Sequence, residues 1–345
     1  MAFADHRSTT REQDGSGRRR SLFSFGSWRR ASPARLATDF DDPESARLRN
    51  AARAGDWPAM RGILETVTDG ERLCRLVWHT CGTPGMADRM GGWMGGVLDR
   101  EPDGTLALLT AGAHHIHWGW EARTAAQASQ VSREQFRIFH ERLRVAEDLL
   151  YRVAEREPDW VAPWFMLQVS GRGLQVGQEI ARRRFEATVR RCPGHLGAHR
   201  QQLQQVCAKW GGSHEEMHAF ARDSMLAAPR GSALGELVAL AHLERWVDLE
   251  ADEDEKYMRR PEVRADLHEA ADRSIRHPDF DPGRPYEWIG VHNTFAMAFS
   301  LAGERKAAAA AFAALDGRVT EFPWSYFGSD DPVAVFRKWR WHAGR

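Results

Sequence analysis

EPDWVAPW, beginning at Glu157, decides the fold, because its pattern returns as CPGHLGAH from Cys192 and APRGSALG from Ala228. The prolines of the three stretches, Pro158, Pro193 and Pro229, are 35 and 36 residues apart. Each proline is followed by a helical stretch, a break and a second helical stretch. A fixed period near 34 residues marks stacked helix pairs, because one pair cannot bury its apolar face alone. A further unit begins at Pro278, 49 residues after Pro229. The excess matches DLEADEDEKYMRR (Asp248 to Arg260), which reads as a solvated charged insertion.

The flanking segments carry the helical period. Phe136, Phe139, Leu143, Ala146, Leu150 and Val153 step by three and four, so one apolar stripe runs along a helix from about Ser132 to Arg156. Ala181, Phe185, Thr188, Val189 and Cys192 form a second stripe, and Leu196, Leu203, Val206 and Trp210 a third. The expected class is all-α, a tetratricopeptide-like stack of antiparallel helical hairpins forming an α-solenoid. The last unit resembles a tetratricopeptide repeat at Ala296, Phe299, Gly303, Ala308 and Phe312. In that resemblance the alanines let two helices approach closely and the glycine ends the first helix in a left-handed conformation. From about Asp39 to Trp246 the chain is also similar to an uncharacterised bacterial all-helical domain family, through KWGGS (Lys209 to Ser213), M-x-x-F-A-R (Met217 to Arg222) and the Trp-rich hairpins upstream. That resemblance implies a helical fold and no particular reaction.

Four segments follow: a disordered basic arm over 1–38, a helical-hairpin domain over 39–247, the charged insertion over 248–260, and tetratricopeptide-like helices over 261–345. The arm is rich in Ser and Gly and lacks helical periodicity. Residues 1–37 hold eight Arg against Asp5, Glu12 and Asp14. RRRSLF (Arg18 to Phe23) is not followed by an apolar region, so it is not read as an export signal. The whole chain has no net formal charge, which argues against a general nucleic-acid binder. No apolar run approaches a membrane span. Cys74, Cys81, Cys192 and Cys207 include no C-x-x-C pair and read as small apolar residues in a reducing compartment, hence a cytoplasmic location.

Chemistry enters with KWGGSHEEMHAF (Lys209 to Phe220), which contains a literal H-E-x-x-H. His214 and His218 stand one helical turn apart and could grip zinc, with Glu215 activating its water. A third ligand would have to come from Glu236 or Glu244. The structural reading explains more of the stretch: Lys209, Trp210, Gly211 and Gly212 end one helix, and Ser213 with Glu216 forms a capping box that starts the next. HHIHW (His114 to Trp118) offers three histidines, but neighbouring helical positions point in different directions. Trp118, Glu121 and Arg123 in WGWEAR are candidate groove residues for a small ligand. His195 and His199 lack an intervening glutamate, and His199 reads as a hydrogen-bonded core histidine. Phosphate-loop, nucleophile-elbow and dinucleotide motifs are absent from the sequence. The expectation is therefore a protein or peptide interaction module rather than an enzyme, with no cofactor. A zinc hydrolase and a small-ligand protein are the alternatives.

Overall fold

The helices begin where side chains can satisfy their first amides. In the computed structural model, which describes residues 32–38, 40–124, 131–250, 252–281 and 285–344, the chain runs through β1 (Arg35–Leu36), α1 (Pro43–Ala54), α2 (Trp57–Glu65), α3 (Gly70–Cys81), α4 (Met86–Gly91), α5 (Met94–Arg100) and α6 (Thr105–Arg123). Then come α7 (Arg133–Arg156), α8 (Val161–Leu174), α9 (Gln178–Arg191), α10 (Leu196–Gln205), α11 (His214–Ala227), α12 (Glu236–Val247), α13 (Glu253–Met258) and α14 (Pro261–Arg273). The chain continues with α15 (Pro285–Leu301), α16 (Arg305–Leu315), β2 (Arg318–Val319) and α17 (Pro332–Ala343). Asp42, Asp56 and Asp69 cap α1, α2 and α3 by accepting from backbone amides two or three residues on. The class is all-α, with consecutive helices packed on one another from α6 to α17.

Pro158, Pro193, Pro229 and Pro278 all lie in connections that precede helices. The α7 stripe is buried from Phe139 to Val153, with Phe136 half-buried at its start. Helix α7 opens on a complete capping box, in which Ser132 Oγ accepts from the Gln135 amide and Gln135 Oε1 accepts from the Ser132 amide. Its partner α6 shows no stripe, because it is buried around most of its circumference between α3, α4, α7 and α8. The two helices approach closely at Gly112, where an added Cβ would lie 2.8 Å from Leu150. In the last hairpin Ala296, Phe299, Ala308 and Phe312 are buried, and Gly303 turns between α15 and α16 with φ of 75°.

The apolar residues form two cores. One runs from Leu48 to Ala198, and the other gathers Ala37 with residues from Leu196 to Phe336. They meet at α10, not at residue 247, because α12 shares its core with α14 and α15. Residues 1–31 of the expected arm lie outside the described residues. Residues 32–38, also counted with the arm, belong to the folded body: Arg35 and Leu36 pair in parallel with Arg318 and Val319, and Ala37 is buried in the second core. The charged segment 248–260 is not simply solvated either. It folds α13, whose Met258 is fully buried and whose Tyr257 reaches across to α12. None of the described helices is long and apolar enough to cross a membrane.

Candidate functional site

The KWGGS turn is built by two glycines with different tasks. Helix α10 stops at Gln205, and a short 3-10 turn covers Ala208–Trp210, so the stripe through Val206 and Trp210 is not one continuous helix. Gly211 takes φ of 94°, a left-handed value that favours glycine. Gly212 is required by space, since a Cβ there would sit 2.0 Å from the Val206 carbonyl oxygen. Ser213 then caps α11, its Oγ accepting from the Glu216 amide at 3.1 Å. The expected reciprocal bond from Glu216 is not formed: the Ser213 amide donates to the Val206 carbonyl instead, at 3.1 Å. The tight turn has already satisfied that donor. Lys209 Nζ donates to Glu244 at 2.7 Å, and the Trp210 ring faces Arg172.

Lys209 therefore takes one of the two glutamates that a zinc site would have needed. Glu244 also accepts from Gln204 and from the Tyr326 hydroxyl. Glu236 is wholly buried and accepts from both Arg200 nitrogens at 2.6–2.8 Å and from Thr294. Neither carboxylate is shared with His214 or His218. No group of three or more His, Cys, Asp or Glu side chains converges as a metal site among the described residues. Glu215 lies at the start of α11, where backbone and Ser213 hydrogen bonds hold its carboxyl below the usual range.

What His218 meets instead is a polar chain from three other helices. Its Nε2 lies 3.4 Å from the Tyr257 hydroxyl of α13. That hydroxyl is 2.7 Å from His242 Nδ1 on α12, and His242 Nε2 is 3.3 Å from Asp266 on α14. The two imidazoles lie 4.7 Å apart. Burial pushes the His218 ring down to about 4 and the Tyr257 phenol up to about 12, so both are neutral at pH 7. These groups line a cleft of about 680 Å³ with His214, Arg222, Arg245 and Arg260. Sequence reasoning missed His242, Tyr257 and Asp266. The tyrosine and Met258, apolar residues inside a charged run, were the available signal.

The other histidines diverge as adjacent helical positions must. His114 is buried with Nε2 2.8 Å from the Ala87 carbonyl, His115 stacks on Trp118, and His117 packs against Trp78. His199 is a core histidine bonded to the His195 carbonyl between Phe185 and Phe220. Trp118 lies under the Arg142 guanidinium, 3.6 Å from the ring centre. Glu121 is exposed, with its carboxyl raised by partial burial and by Asp88. Arg123 lies over Trp120. Trp118 and Arg123 thus meet different side chains, and the three WGWEAR residues line neither the His218 cleft nor the recess between the two cores.

A second recess lies where the two cores meet, and no sequence motif announces it. This pocket of about 330 Å³ is walled by Phe40, Trp78, Phe165 and Phe322, with Arg75, His195 and Arg200 around it. It is open at Gly290, where an added Cβ would approach Arg200 to 3.4 Å. Phe322 and Glu321, at one edge, are exposed to solvent. His195 starts α10 and accepts the Ala198 amide on Nδ1, so the ring proton sits on Nε2. That buried N–H has no partner among the described residues. Burial holds His195 down at about 4, hence neutral.

No family model matches the chain, and no curated protein matches it.

Proposed function

We propose that the protein is a non-enzymatic recognition module whose central pocket receives an aromatic or branched apolar side chain of a peptide partner. The observation that carries this reading is the pocket's aromatic wall, formed by residues drawn from both cores. Its volume falls at the lower end of ligand sites, about 300–1,000 Å³. A single inserted side chain suits that size, and a desolvated aromatic anchor is the usual centre of a binding surface. Exposed Phe322 and Glu321 at the edge suit a ligand that enters from the surface and continues along it. The helical hairpins would act as the rigid frame, as stacked repeats commonly do. Cys74, Cys81 and Cys207 are buried and Cys192 is half-buried, none in a disulfide, which supports a reducing, cytoplasmic setting.

Selection of a random displayed peptide library on the immobilised full chain tests the proposal. Enriched peptides should share one aromatic or branched position. They should bind wild type and lose at least tenfold in affinity against Gly290→Leu, which fills the pocket from a helical position. Peptides that bind both proteins equally, or no enrichment at all, would overturn it. Circular dichroism and a melting curve verify that the variant is folded.

A further inference from the structure

The cleft beside α11 has an electrostatic asymmetry that its hydrogen bonds make legible. The Asp266 carboxylate only accepts, so His242 Nε2 carries the proton between them. His242 Nδ1 lies 2.7 Å from the Tyr257 hydroxyl, and that hydroxyl lies 3.4 Å from His218 Nε2. The floor of the cleft is thus a hydrogen-bonded chain of rings ending on one carboxylate. That carboxylate is also engaged by Arg222, which pairs with Asp266 at 3.5 Å and Glu269 at 3.0 Å.

Arg245 and Arg260 line the same cleft, and neither makes an ion pair among the described residues. Both lie close enough to Tyr257 for their charge to act on its hydroxyl, and Arg245 acts on His218 as well. The remaining acids of the lining, Glu215 and Glu262, are exposed and stand in the first turns of α11 and α14, where helix dipoles already favour negative charge. Two guanidiniums outside any ion pair thus line one cleft, that of Arg260 lying over the Tyr257 ring at 5.5 Å. A planar fork matches the oxygens of a tetrahedral oxyanion, and two forks match its two negative charges.

We propose that this cleft binds a dianionic oxyanion of the phosphate-monoester type between Arg245 and Arg260. The site is separate from the central pocket and does not rest on the peptide reading. Inorganic phosphate, a phosphorylated side chain and a nucleotide phosphate share this chemistry.

Calorimetric titration of the full chain with inorganic phosphate at pH 7.5 and low salt tests it. The expected result is one site per chain, weakened at least tenfold in Arg245→Gln/Arg260→Gln. It should be unchanged in Arg305→Gln/Lys338→Gln, which neutralises the basic cleft between α16 and α17. Parallel titrations with O-phosphoserine, O-phosphotyrosine and adenosine monophosphate identify the source by whichever binds more tightly than phosphate. Absence of phosphate binding up to 10 mM, or equal affinity in wild type and the Arg245/Arg260 variant, would overturn the site. The wild-type titration decides even if the double variant fails to fold.

Discussion

The two recesses of this molecule solve the burial of polar groups in opposite ways. The central pocket is walled by aromatic rings and bordered by a buried histidine N–H without a partner. The α11 cleft is floored by rings whose polar atoms are linked from Asp266 through His242 and Tyr257 to His218. The first is walled mainly by apolar rings, and the Arg200 on its border pairs with buried Glu236 behind it. The second is polar, with a linked chain of rings along its floor, and leaves Arg245 and Arg260 outside any ion pair among the described residues. A pocket of the first kind gains by taking up apolar surface, whereas one of the second kind gains by taking up charge.

The largest effect should come from the ion pair behind the pocket. Glu236 is fully buried and receives two hydrogen-bonding nitrogens from Arg200 and the Thr294 hydroxyl. Glu236→Ala leaves that guanidinium and hydroxyl without their acceptor, and should cost about 3–5 kcal/mol in urea unfolding. A loss below about 1 kcal/mol would mean that Arg200 swings to solvent without penalty and that the pocket wall is not held by this pair.

Acid should test the central pocket next. His195 is 3% exposed and titrates at about 4 when folded, against about 6.5 unfolded. Between those values the unfolded chain holds the extra proton, so stability is complete above pH 6.5 and falls as pH drops toward 4. The slope from this one group is about 1.4 kcal/mol per pH unit, reaching roughly 3 kcal/mol by pH 4. His195→Asn keeps a side-chain acceptor for the Ala198 amide and removes the titration. Its stability curve between pH 6.5 and 4 should be flatter by that amount. An unchanged slope would place the acid sensitivity in the other histidines.

The contrast between the recesses also governs what the sequence could reveal. Helices were legible because a stripe such as Phe139 to Val153 repeats with the pitch of the helix that buries it. Helix α6 lost that signal by being buried on nearly all sides. The cap at Ser213 was legible, but its partner was not, because the Ser213 amide is satisfied by Val206 through a turn that local rules for helix starts do not describe. Of the ring chain in the cleft, only His218 belongs to the H-E-x-x-H stretch. His242, Tyr257 and Asp266 arrive from three further helices, and Tyr257 comes from a stretch whose charge concealed it. The central pocket combines residues as distant as Phe40 and Phe322, so no window of sequence contains it.

Removing one atom probes the cleft more gently. Tyr257→Phe deletes the hydroxyl that joins His242 to His218 and leaves buried His242 Nδ1 without its partner. The expected cost is about 1–2 kcal/mol, the usual penalty for an unsatisfied buried polar atom. Phosphate affinity should change little, since the arginines remain. A cost near zero would mean that the chain of rings is not stabilising and that the floor is satisfied by water.

The smallest effect should fall on the first histidine of H-E-x-x-H, and it sharpens the distinction within the cleft itself. His214 is the first residue of α11 and only partly buried. Its Nε2 lies 3.7 Å from Asp248, a carboxylate that is itself 40% exposed. A pair so open to solvent contributes little. His214→Ala should therefore lie within about 0.5 kcal/mol of wild type, as surface substitutions usually do. His218→Ala loses the Tyr257 contact and the tilted ring contact with His242, and should cost about 1 kcal/mol more than His214→Ala. Urea melts of the two variants at pH 7.5 give the order directly. If His214→Ala were the costlier change, the cleft would be organised from its rim, and the chain from Asp266 to His218 would not be what shapes it.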